Sequence, residues 1–192
     1  MATVVLNPSS ISSVAGWESG GSTASELDKD ETSNQWVGNF GVTAKMTLEL
    51  DNFDNTGVAS IDQVQTTFVA YLGNARSGTI TATTNIRNGN TGLYSEDITV
   101  TANGGNFATY NGTARTTTDG STAWSDTVID ALRLEVLFAT PAGKTYVQQA
   151  YVTVTFTESS GYGHAVSGLA AASINKINSL ATANIGKVNS LD

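Results

Sequence analysis

The chain has 192 residues, 40% of them hydrophobic, and only 14% charged, where an average soluble domain has about 25%. A formal net charge of −8 with nine Lys and Arg argues against a nucleic-acid partner, because phosphate recognition needs a basic footprint. With no cysteine and one histidine there is no thiolate metal site, disulfide or thiol nucleophile and little for acid–base chemistry, so the expectation is a protein without catalytic residues, cofactor or metal.

Thr, Ser and Asn supply about a third of the residues, which predicts a surface of hydroxyls and amides in place of ion pairs. No run approaches the ~18–20 apolar residues of a membrane helix, so membrane insertion is not expected. The first eight residues lack a basic stretch followed by a long apolar one, so no secretory signal is read there.

In chain order, Val4-Val5-Leu6 reads as a first edge strand. Ser9-Ser10-Ile11-Ser12-Ser13 and Gly20-Gly21-Ser22-Thr23 read as loops, and Glu26, Asp28, Asp30 and Glu31 as a solvated acidic loop. Trp17 and Trp36 are expected to anchor this segment on a sandwich edge, since indoles gain most from burial. From Val42 to Phe156 the apolar period is two. Val42, Ala44, Met46, Leu48 and Leu50 alternate with polar residues, and Val64, Thr66, Phe68, Ala70 and Leu72 alternate with Gln65, Thr67, Val69 and Tyr71. Ile80, Ala82, Thr84 and Ile86, then Ile98 and Val100, continue the pattern. Leu132, Leu134, Val136 and Phe138, then Val152, Val154 and Phe156, complete it.

Turn chemistry separates these runs. Asn88-Gly89 predicts a hairpin, and Asn103-Gly104-Gly105, Asn111-Gly112, Asp119-Gly120 and Pro141-Ala142-Gly143-Lys144 predict further turns. The expected fold is all-β: an antiparallel β-sandwich of jelly-roll or immunoglobulin-like kind, with a closed barrel as the lesser alternative. Periodicity does not decide the strand order.

After residue 158 the composition changes. Residues 1–158 are read as the sandwich domain, 159–164 as a linker and 165–192 as a C-terminal arm. Val166-Ser167-Gly168-Leu169, Ile177-Asn178-Ser179-Leu180 and Val188-Asn189-Ser190-Leu191 recur every 11 residues. If helical, that period gives about 3.67 residues per turn and a right-handed supercoil with a partner. The Asn-Ser and Ser-Gly pairs oppose a continuous helix, and a string of short turns or an extended arm is the competing picture. Val166, Leu169, Ile174, Ile177, Leu180, Ile185, Val188 and Leu191 are the candidate interface residues for attachment or homo-oligomerisation, a trimer being favoured.

Few motifs carry chemistry. His164 lies in the linker, where nothing would orient it as a base. Asp51-Asn52-Phe53-Asp54-Asn55-Thr56-Gly57 is rich in oxygen ligands but lacks the spacing of a calcium loop, and reads as a plain turn. Asn111-Gly112-Thr113 fits the glycosylation pattern only formally. Tyr71, Tyr94, Tyr110, Tyr151 and Trp124 are available for sugar contact, and Tyr71 and Tyr151 fall on the outward parity of their strands.

Three segments resemble virion proteins of tailed bacteriophages: Ile61-Asp62-Gln63-Val64, Ala123-Trp124-Ser125 leading to Ile129–Leu134, and Tyr146–Val154. The tail segments Ala172–Asn178 and Ala183–Asn189 are similar to repeats at the ends of such proteins, so the resemblance covers about residues 60–192. It implies a non-enzymatic structural component of a virion, on capsid, tail or fibre, meeting other virion proteins through the arm. The alternative expectation is a carbohydrate-binding module that adsorbs to host-surface glycans.

Overall fold

The computed structural model describes residues 1–19, 24–30, 32, 36–38, 42–73, 78–101, 105–139, 144–159, 176–177 and 180–181. Period-two alternation becomes strand wherever it was strongest. The strands are β1 (Ala2–Leu6), β2 (Pro8–Ala15), β3 (Trp17–Ser19), β4 (Trp36–Gly38), β5 (Ala44–Leu50), β6 (Val58–Gly73), β7 (Thr79–Asn88), β8 (Thr91–Thr101), β9 (Ala108–Asn111), β10 (Leu132–Phe138) and β11 (Lys144–Glu158). A 3-10 turn (Ala24–Leu27) and one helical turn, α1 (Asp126–Ile129), interrupt them.

Two antiparallel sheets form. Sheet A has the order β3-β4-β11-β6-β9, with β1 also paired to β11, and sheet B has the order β2-β5-β10-β7-β8. From β4 onward every connection crosses between sheets except the β7–β8 hairpin. The resulting four-strand orders, β4-β11-β6-β9 and β5-β10-β7-β8, are those of an eight-stranded jelly roll. The fold is therefore an all-β sandwich of the jelly-roll kind, and the immunoglobulin-like option falls away.

The inward parity of the two sheets supplies the core: Met46, Leu48, Val64, Phe68, Ile86, Leu134, Val136, Phe138, Val152 and Val154 are all fully buried. Phe68 packs edge-on against Phe138 at 6.0 Å and stacks on Tyr110 at 5.3 Å. Trp17 and Trp36 meet edge-on at 6.0 Å, and Trp17 lies 6.3 Å from Phe138, closing one end as expected of anchors. Its indole Nε1 donates to the Lys45 carbonyl at 2.9 Å, so burial leaves that donor satisfied. Beyond the far end of β5, Phe53 meets Phe156 at 5.7 Å.

Four sequence expectations change. Residues 9–13 are not a loop but part of β2, an edge strand on β5 with two register shifts. Serine is poor at filling a core, yet here the Ser9 and Ser12 hydroxyls donate to backbone carbonyls of β5, and Ser13 donates to Thr47 Oγ1. Val42 does not join the buried set; it precedes β5 and is 48% exposed. Trp124 is no surface aromatic: it is buried, and its Nε1 donates to the Arg115 carbonyl at 2.8 Å. At Asn111-Gly112 the chain does not reverse. Gly112 N donates to the Thr66 carbonyl, and Arg115 pairs with Val64, so the chain keeps following β6. A Cβ at Gly112 would collide with the Thr66 hydroxyl, so the close approach requires glycine.

The Asn88-Gly89 and Asp119-Gly120 turns form as read, with Gly89 and Gly120 at φ of 55° and 90°. In the arm, Lys176–Ile177 (β12) and Leu180–Ala181 (β13) pair antiparallel, so these four residues are extended and not helical. Val166, Leu169, Ile174, Ile185, Val188, Leu191 and His164 lie outside the described residues. Among the described residues no helix is long and apolar enough to cross a membrane.

Phe68→Ala empties the centre of the core and is expected to lower unfolding free energy by about 3–5 kcal/mol, read as a shifted denaturant midpoint. Asp119 accepts hydrogen bonds from the Thr122 and Ser121 amides and from both hydroxyls, which lowers its pKa to about 2. Its folded pKa lies below the usual 3.8, so its support for the turn is full above that value and is lost as pH falls through about 2. NMR titration of the Ser121 and Thr122 amides should therefore show a midpoint near 2; one near 3.8 would mean these bonds are not made.

Candidate functional site

Both sheets turn an outer face to solvent, and the two faces differ in chemistry. On sheet A, register places Tyr146 opposite Tyr71, Gln149 opposite Val69 and Tyr151 opposite Thr67. The β9 positions on the same face are Asn111, opposite Thr67, and Thr109, opposite Val69. Tyr71 and Tyr146 stack at 4.3 Å with planes 3° apart, and Phe107 stands edge-on to Tyr71 at 4.7 Å. Gly73 makes this possible, because a Cβ there would collide with the Tyr146 ring. Partial burial, with Tyr146 beside it, raises the pKa of the Tyr71 hydroxyl, so it stays a neutral donor and acceptor.

Tyr151 is four residue positions along the strand from this stack, about 13 Å at roughly 3.3 Å per residue. Thr67 and Val69 between them are buried, and Thr67 Oγ1 donates to Asn111 Oδ1 at 2.9 Å. The surface between the aromatic groups is thus made of amides and hydroxyls. Tyr71 and Tyr151, the two tyrosines picked by parity, do share this face. Tyr146 and Phe107 complete it and were not picked out. The available signal was Gly73, two residues after Tyr71, which leaves room for a ring.

On sheet B the outward residues of β5, β10 and β7 line a cleft of about 280 Å³. At its floor is Glu135, on the outward parity of β10 yet only 5% exposed. It receives Lys45 Nζ at 2.7 Å, Arg87 Nη1 at 3.5 Å, Asn85 Nδ2 at 2.8 Å and Thr47 Oγ1 at 3.4 Å. A buried carboxylate is costly unless so surrounded. Beside it, Arg133 Nε contacts both Glu49 oxygens at 2.7 and 2.8 Å. Asn90 bridges the two guanidinium groups, its carbonyl accepting from Arg87 at 2.6 Å and its side chain from Arg133 at 3.1 Å. Alternation marks these positions as outward; only the register reveals that they converge.

Elsewhere, a cleft of about 230 Å³ is bordered by Tyr94, Arg115 and Asp119. Arg115 lies over the Tyr94 ring at 5.2 Å, and burial pushes the Tyr94 hydroxyl well above the ordinary phenol range. Tyr94 and Tyr110 belong to inward positions, paired across from Ile86 and Phe68. The Asp51–Gly57 segment behaves as a turn: Asp54 accepts from the Thr56 hydroxyl and from its amide, the latter at 2.9 Å, and this bonding lowers its pKa. Among the described residues no group of three His, Asp or Glu is arranged to hold a metal. Glu31 lies outside them.

No family model matches the chain, and no curated protein sequence matches it. Among solved structures it is similar to the C-terminal CBM6 of a marine laminarinase from Zobellia galactanivorans, at 14% identity and TM-score 0.44, covering 80% of this chain and 99% of that one. A CBM36 domain of a xylanase from the hindgut metagenome of Trinervitermes trinervoides gives 11% and 0.41, covering 86% and 100%. The enzymatically active domain of bacteriophage CBA120 tailspike protein 4 gives 13% and 0.38, covering 80% of this chain but 19% of that one. At these values the likeness carries no argument, and the jelly-roll assignment stands on the strand order.

Proposed function

We propose that this chain is a non-catalytic carbohydrate-binding module that takes neutral sugars on the outer face of sheet A. The observation that supports this reading is the Tyr71–Tyr146 stack, set about 13 Å from Tyr151 on one strand pair. Tyrosine offers rigid, amphipathic contact area at low entropic cost, so a pyranose C–H face can lie on a ring while its hydroxyls reach neighbouring polar groups. Gln149, Thr109 and Asn111 supply donors and acceptors between the aromatic ends. Uncharged partners suit an uncharged ligand, whose recognition then depends little on salt.

On a glycan array the full chain should show saturable binding to neutral glycans. Tyr146→Ala or Tyr151→Ala should weaken it about tenfold, equivalent to ~1.4 kcal/mol. Unaltered binding in both variants would remove sheet A from the reading.

A second reading is supported by the 11-residue period of residues 165–192: a structural component of a bacteriophage virion, anchored by that arm and trimeric. The two readings are compatible in a host-adsorption protein. Deleting residues 165–192 should abolish incorporation into particles while the sandwich still unfolds cooperatively at its original temperature. Unchanged incorporation would sink the arm's role.

A further inference from the structure

In a chain of net charge −8, the sheet B cleft gathers three of the nine Lys and Arg residues: Lys45, Arg87 and Arg133. Two carboxylates, Glu49 and Glu135, stand among them, so the cleft keeps one uncompensated positive charge. On β5, register sets Arg133 opposite Glu49, a favourable pair. On β7 it sets Arg133 directly opposite Arg87, and like charges in that position destabilise a sheet. Among the described residues, Asn90 alone bridges them.

The cationic groups are also held ready. Glu135, buried at the floor, draws Lys45 and Arg87 inward, while Glu49 fixes Arg133. The three side chains nevertheless remain 28–39% exposed, so the N–H groups not directed at Glu49, Glu135 and Asn90 can reach a ligand. Holding them in place lowers the ordering cost of binding. The rim adds the β2 residues Ser12 and Ser13.

We propose that this cleft is a second binding site, which takes the carboxylate of an acidic saccharide. One net positive charge matches one carboxylate per sugar unit, and charge-assisted hydrogen bonds from guanidinium and ammonium groups to a carboxylate are about twice as strong as neutral ones. The carboxylates and hydroxyls around it are acceptors and donors for the sugar's own hydroxyl groups. A dense polyanion or free phosphate suits the cleft poorly, since Glu49, Glu135 and the charge of the whole chain repel it. This site is independent of the tyrosine face of sheet A.

The test uses the full chain, titrated with tetragalacturonate, with its neutral methyl ester and with inorganic phosphate, while backbone amides are followed by NMR. The acid should shift Gly89 and Asn90 and leave Gln149 unmoved, and the methyl ester should bind at least tenfold more weakly. Arg133→Gln, which does not touch Glu135, should weaken the acid at least tenfold, and Arg133→Lys should restore part of the loss. Tyr146→Ala should leave acid binding as it was, which separates failure here from failure of the sheet A reading. Melting temperatures confirm that each variant is folded. Equal binding of ester and acid, an unaffected Arg133→Gln, shifts confined to sheet A, equal shifts with phosphate, or no binding of the acid would each overturn the proposal.

Discussion

The ladder between β6 and β11 is the interaction on which the remaining structure hangs. It runs from Lys144 opposite Gly73 to Glu158 opposite Val58, the two longest strands of the fold. β11 carries β1 and β4 on its other side, and β6 carries β9, so sheet A is built outward from this pair. The partners are far apart in sequence, which makes the ladder entropically expensive to close and dependent on its buried side for compensation. Val64, Phe68 and Ala70 from β6, and Val147, Ala150, Val152 and Val154 from β11, provide that side.

The same ladder sets the geometry of the tyrosine face. A register shift between Val147 and Gln149 inserts Gln148 as an extra residue, so that Tyr146 and Tyr151 both point outward although their numbers differ in parity. Without the bulge one of the two would face the core. Strand pairing therefore decides not only what is buried but also which aromatic residues share a surface.

Sheet B shows the complementary case. Its outward residues are few in charge but are brought together by three strands, so that a chain poor in ion pairs carries a local network at Lys45, Glu49, Arg87, Arg133 and Glu135. The edge strand β2 presents serines toward this region and bonds them to β5. Low overall charge makes such a concentration stand out.

Much of this was legible in one dimension. The alternating runs of β5, β6, β7, β10 and β11 named the core-facing residues, because a strand exposes alternate side chains to opposite faces regardless of its partners. The hairpin at Asn88-Gly89 was equally local. Residues 9–13 look like a loop in one dimension because an edge strand needs only backbone partners, so its serines carry no apolar pattern. Glu135 was readable as outward but not as buried, since what covers it comes from Lys45, Arg87 and Thr47 on other strands. By itself the sequence determined an all-β fold, most of its inward residues and the period of 11 in residues 166–191, since each follows from local periodicity. Only the tertiary structure decided the jelly-roll order, the meeting of Tyr71 with Tyr146 and the charged cleft, because these depend on which strands pair and in which register.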